Sequence, residues 1–115
     1  PFDIVQLNTG DSFTQTLDEL RPVTEQTLAF AEETIVGGSY DMVILDEIFA
    51  AVTKELITTR QVMNLMSKKP EGVELILTGR GASKEIIQQA DLVTEMTAVK
   101  HPFNRGITAR RGIEY

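Results

Sequence analysis

The run Met42-Val43-Ile44-Leu45, bounded by Asp41 and by Asp46-Glu47, constrains this chain more than any other stretch. Four apolar residues are too few for a free-standing helix and suit a strand buried on both faces, as strands of parallel sheets are. Carboxylates that follow such a strand lie at the sheet edge where α/β folds bind ligands. An apolar strand ending in acid is also how nucleotide-hydrolysing folds hold magnesium. The same short pattern serves equally as a helix cap or a solvated strand end.

The flanking chain alternates in type. Residues 2–7 predict a first strand through Ile4, Val5 and Leu7, followed by turn chemistry from Asn8 to Ser12 and by Phe13, an aromatic in a polar loop. Pro22 predicts a helix start, since proline is tolerated in a first turn. Val23, Leu28, Ala31 and Ile35 give that helix an apolar side, and Gly37-Gly38 ends it. Residues 48–54 predict a short helix or irregular turn. Thr58 or Thr59 then caps a helix with Val62, Leu65 and Met66 at i, i+3 and i+4, stopped by Pro70-Glu71-Gly72. Residues 73–78 predict a strand running into Gly79-Arg80-Gly81, Ser83 caps a short helix with Ile86 and Ile87, and residues 91–96 predict a last strand. The order β-α-β-α-β-α-β implies an α/β fold, a parallel sheet with flanking helices and right-handed crossovers. A chain of 115 residues suits one domain spanning 1–115.

Composition narrows the function classes. With 42% hydrophobic and 24% charged residues the chain is globular and not disordered. A net charge of −6 argues against nucleic acid as a partner. The charge is uneven: residues 1–95 carry 16 acids and 7 bases, whereas 96–115 carry Lys100, Arg105, Arg110 and Arg111 against Glu114. That basic end suits an anionic ligand, and equally a solvated tail. The absence of cysteine excludes a disulfide framework and a thiolate metal site. No stretch approaches the ~20 apolar residues of a membrane span. The expectation is a cytoplasmic protein with no membrane partner. His101, the one histidine, stands before Pro102 as a positioned loop residue and gives little support for metal or nucleophilic chemistry.

Five segments then occur in order: Val-Ile-Leu-Asp-Glu (43–47), Leu-Thr-Gly-Arg-Gly-Ala (77–82), Ala-Asp-Leu-Val-Thr-Glu-Met (90–96), Val-Lys-His-Pro-Phe (99–103) and Gly-Ile-Glu-Tyr (112–115). In wording and spacing they resemble the carboxyl-terminal part of the ATP:corrinoid adenosyltransferases of the P-loop, cobalamin-biosynthesis type. The resemblance runs from about Asp3 to Tyr115. It implies a P-loop NTPase (RecA-like) fold, incomplete here without the P-loop strand. It also implies transfer of the 5′-deoxyadenosyl group of ATP to the reduced cobalt of a corrinoid, with release of triphosphate. Mapped onto this chain, Glu47 is the acidic Mg2+ partner with Asp46 beside it, and Arg80 and Gly81 lie at the nucleotide side of the sheet. Arg105, Gly106 and the 108–112 segment with Arg110 border the nucleotide from the carboxyl end. Phe13 resembles the aromatic that presses on the lower face of the corrinoid. The resemblance further implies ATP and a corrinoid as substrates, a flavoprotein reductant and a homodimer. Taken without the family, Phe13 reads as a hydrophobic plug and Arg80 as a salt-bridge partner of a neighbouring acid.

The chain departs from that pattern twice. Gln15 stands where the family has a tryptophan two residues after the phenylalanine, and no G-x-x-x-x-G-K-[ST] phosphate loop occurs. Two readings follow: the carboxyl-terminal portion of an enzyme, or a truncated, non-catalytic relative that binds corrinoid or nucleotide. Without the phosphate-loop strand, a gap is expected in the sheet, flanked by the strands at 41–46 and 73–78.

Overall fold

The start of the first helix is set by a threonine and not by the proline expected to open it. Thr16 N donates to Glu19 Oε2 at 2.9 Å and Thr16 Oγ1 accepts from Glu19 N at 3.3 Å, a reciprocal capping box. Helix α1 therefore runs Leu17–Gly37, with Pro22 inside it. There the proline forfeits one helical hydrogen bond, to the carbonyl of Asp18. Gly38 ends the helix at φ 65°, the left-handed region that glycine enters without a Cβ clash. The computed structural model describes residues 2–8, 10 and 14–114.

Strand β1, Met42–Leu45, pairs in parallel with β2, Glu74–Leu77, in the register Met42↔Glu74 to Leu45↔Leu77. Flanking bonds extend the ladder, Glu74 N to Asp41 O at 2.8 Å and Thr78 N to Leu45 O at 3.2 Å. Between the strands lie α2, Ile48–Thr53, and α3, Thr59–Lys68. Of the two caps that the sequence allows, Thr58 and Thr59, it is Thr58 that caps α3, in a second capping box with Gln61. After β2, Ser83 caps α4, Lys84–Gln89, and a 3-10 turn, Pro102–Arg105, lies near the end.

The core sits on one face of the strand pair. Ile35 of α1, Ile48 and Phe49 of α2, Ile57, Val62 and Leu65 of α3 with its approach, and Ile86 of α4 form one buried cluster. Val43, Leu45, Leu75 and Leu77 project onto it from the sheet. Their strand neighbours point the other way, leaving Met42 50% and Ile44 56% exposed. An α/β fold with a parallel sheet is thus present, but the expectation that residues 42–45 are covered on both faces fails among the described residues. A Lys68–Glu32 ion pair joins α3 to α1 at the surface.

Three sequence expectations need correction. Residues 2–7 have strand composition yet form no strand; their side-chain tie is Tyr40 Oη donating to Asp3 Oδ2 at 2.6 Å. That bond, together with the nearby carboxylate charge, raises the Tyr40 pKa above its ordinary value. Residues 91–96 are likewise no strand and are exposed throughout. In both segments the apolar residues suit a sheet, but no neighbouring strand supplies the ladder. Nor is there a gap between residues 41–46 and 73–78, since β1 and β2 bond directly.

The core and the cap should respond differently to truncation. Leu65→Ala is expected to cost about 2–5 kcal/mol, since Leu65 is fully enclosed and leaves a cavity. Thr16→Ala is expected to cost about 1 kcal/mol through the lost cap. Denaturant unfolding of the two variants measures the contrast.

Candidate functional site

The carboxyl ends of β1 and β2 meet at a corner made by three consecutive backbone choices. Asp46 leaves β1 with an exposed carboxylate. Glu47 then adopts φ 55°, ψ 28°, a left-handed conformation that costs a non-glycine residue on the order of 1–3 kcal/mol. Ile48 opens α2 directly afterwards and is buried, as is Phe49. Glu47 occupies the N-cap position of α2 but makes no side-chain capping bond. The capping role that its sequence position equally allowed is therefore not what its carboxylate does.

Across the corner, Thr78 follows β2. Its hydroxyl donates to Asp46 Oδ1 at 2.7 Å and accepts from Glu47 N at 2.9 Å. The next residue, Gly79, has φ 134°, and a Cβ there would lie 3.0 Å from the Phe49 Cβ and 3.2 Å from its backbone nitrogen. Glycine thus lets the chain cross the start of α2 closely enough for Arg80 to reach the same side. Gly81 follows at φ 80°.

Glu47 and Arg80, with Ala50, Thr53 and Lys54, line an open cleft of about 370 Å³. Two cationic side chains and a carboxylate on one concavity can hold an anion together with a cation. Among the described residues no three His, Cys, Asp or Glu side chains converge as a closed metal cage. Mg2+ does not need one: it is bound through one or two carboxylates and completes its octahedron with water and substrate phosphate oxygens. Glu47 brings one carboxylate to the cleft, while Asp46, the residue before it, is not among the residues lining it. A cleft that is open, with the cations beside the carboxylate, fits a phosphorylated ligand bringing the remaining oxygens.

The other expected site residues lie elsewhere. Arg105 and Gly106 close the 3-10 turn, where Gly106 N donates to the carbonyls of Phe103 and Pro102 at φ 74°. Arg110 engages Glu114, from its Nη2 to Oε1 at 2.7 Å and from its backbone nitrogen to Oε2 at 2.7 Å. Those bonds hold the Glu114 carboxyl below its usual pKa, so the clamp persists above the ordinary carboxylate range and loosens as pH falls through the lowered value. None of Arg105, Gly106 and Arg110 lines the cleft. Phe13, expected against the corrinoid, lies outside the described residues. His101 is a positioned loop residue, its Nδ1 accepting from Phe103 N at 3.1 Å. Sequence reasoning missed Thr78, Thr53 and Lys54. Thr78 stood inside a motif already singled out, but its partner is set by strand register, which the sequence does not state.

Gly79→Ala is expected to destabilise by about 1–3 kcal/mol, from its positive φ and its collision with Phe49. Gly72→Ala, with nothing within 4 Å of the new Cβ, should stay near ±0.5 kcal/mol. Paired denaturation curves give both numbers.

Residues 2–115 match the model of the family described as ATP:corrinoid adenosyltransferase BtuR/CobO/CobP. A corrinoid adenosyltransferase from Sinorhizobium sp is 41% identical over 118 residues, covering 98% of this chain and 55% of the relative. That of Escherichia coli (strain K12) is 35% identical over 85 residues, covering 74% and 43%. The Pseudomonas aeruginosa enzyme of the same name is 33% identical over 109 residues, covering 92% and 54%. The chain spans about half the length of the curated relatives it matches.

Proposed function

The chain belongs to the ATP:corrinoid adenosyltransferase family, and from that premise we propose that it builds the magnesium- and nucleotide-facing corner of a corrinoid-adenosylating enzyme. The reaction in this reading moves the 5′-deoxyadenosyl group of ATP to the reduced cobalt of a corrinoid and releases triphosphate. The observation that carries it is the cleft at the carboxyl end of the parallel strand pair, where Glu47 and Arg80 come together next to Asp46. The fold in this reading is of P-loop NTPase type, the two described strands being part of a larger sheet.

Each residue's task follows from its chemistry. The corrinoid, as substrate, carries the nucleophile, so the protein's share is positioning and electrostatics. Asp46 and Glu47 would hold magnesium, which when bound offsets the charge that builds on the departing triphosphate. Arg80 would hold a phosphate oxygen with its fork of N–H donors, at a position fixed by Gly79 and Gly81. Lys54, at the far end of α2, adds a second positive charge to the same cleft. Arg105 and Arg110 belong to the basic carboxyl end, which in this reading borders the nucleotide. Phe13 would press on the lower face of the corrinoid.

The test is adenosylation of reduced corrinoid by the full-length protein, followed through the corrinoid's visible spectrum. Glu47→Gln keeps the shape and removes the charge. At limiting magnesium it should lower turnover at least about tenfold, equivalent to ~1.4 kcal/mol, and excess magnesium should recover part of the loss. Full activity of Glu47→Gln at limiting magnesium would remove Glu47 from the metal role.

A further inference from the structure

We propose that Thr78 is a positioning residue for the Asp46–Glu47 pair, setting how strongly that pair holds its divalent cation. The inference rests on the magnesium role of Asp46 and Glu47 put forward above and assigns a task to a residue outside that donor set. A hydroxyl has one proton to give and two lone pairs. Thr78 uses the proton on Asp46 Oδ1 at 2.7 Å and a lone pair on the Glu47 N–H at 2.9 Å. Its own N–H donates to Leu45 O at 3.2 Å. One residue thus bonds three consecutive residues, 45, 46 and 47.

The two hydroxyl bonds act on different variables. The bond to Asp46 takes one carboxylate oxygen as acceptor and so fixes the rotation of that carboxylate. The bond to Glu47 N supports a left-handed backbone that glutamate does not favour on its own. Glu47 has no side-chain capping bond that could do so instead. Without the hydroxyl, the Asp46 carboxylate loses the donor that orients it and the strained Glu47 backbone loses one of its supports. Metal affinity depends on such supporting bonds, whose loss typically costs 10–100-fold. Threonine also carries a β-branch that a strand end tolerates well, so Thr78→Val removes the hydroxyl and little else.

The experiment uses the full-length protein with three variants, Thr78→Val, Thr78→Ser and Glu47→Gln, each checked by thermal melting. Two quantities are read: Mn2+ affinity in the presence of ATP, from the electron-spin signal of free Mn2+, and the magnesium concentration that half-activates adenosylation. Thr78→Val is expected to weaken both about tenfold or more. Thr78→Ser should return both to within about twofold of the parent, because it restores the hydroxyl. A Thr78→Val protein with parental Mn2+ affinity and parental magnesium dependence, while Glu47→Gln weakens both, overturns the proposal and leaves the metal role of Glu47 standing. If Glu47→Gln also changes neither quantity, the metal reading fails and the proposal with it. Should Thr78→Val not fold, Thr78→Ala, which equally lacks the hydroxyl, is read in its place.

Discussion

The in-register parallel pairing of β1 with β2 is the constraint from which the rest of this structure follows. Val43, Leu45, Leu75 and Leu77 alternate onto one face and meet the helical core. A slip of either strand by one residue would turn its two core residues outward and bring Met42 and Ile44, or Glu74 and Ile76, inward. The observed register sets Leu45 opposite Leu77. The next residue on each strand, Asp46 and Thr78, then comes within hydrogen-bonding reach. The polar corner is thus a by-product of apolar alternation. Hydrophobic burial chooses the register, and the register chooses which polar groups meet.

The corner also shows where strain is kept and how it is held. Glu47 stands in the left-handed region between a strand and a helix whose first two residues, Ile48 and Phe49, are both buried. Burying side chains of that size is worth about 1.5–3 kcal/mol each, comparable to the strain. Because the turn must be sharp for both to reach the core, the cost at Glu47 is offset by packing immediately downstream. Gly79 closes the arrangement from the other strand, so near Phe49 that an added Cβ would lie 3.0 Å from the Phe49 Cβ and crowd it. Local conformations of this kind gather at functional sites because a rigid surround can enforce them.

Which features were legible in the sequence follows from how local their causes are. Caps and stops are decided within a few residues, and Thr58, Ser83 and Gly38 act where the sequence places them. The proline at 22 misleads because the capping box of Thr16 and Glu19 outweighs one lost helical bond. Glu47 and Arg80 stood out, each in its own role, only through the order of motifs; both line one cleft. The bond of Thr78 to Asp46 was not legible, because it joins residues 32 apart through a strand register. Residues 2–7 and 91–96 fail as strands for the same reason. Their composition is right, but strand formation is a property of a pair.

The corner itself is complete within few elements. Every bond that shapes it comes from the end of β1, the start of α2 or the end of β2. The outer edges of the two strands take no part in it, nor does the exposed face bearing Met42, Ile44 and Ile76. Unpaired edges and uncovered apolar faces recruit further strands or helices. Additions there would thicken or widen the sheet without disturbing the Asp46–Thr78–Glu47 bonds, since those lie along the strand direction, beyond the last ladder residues. The cleft beside them differs, because it is open and lined by Arg80 and Lys54. Elements added past the carboxyl ends of the strands would therefore change how Arg80 and Lys54 meet a ligand, while the carboxylate pair stays set by the register of β1 on β2.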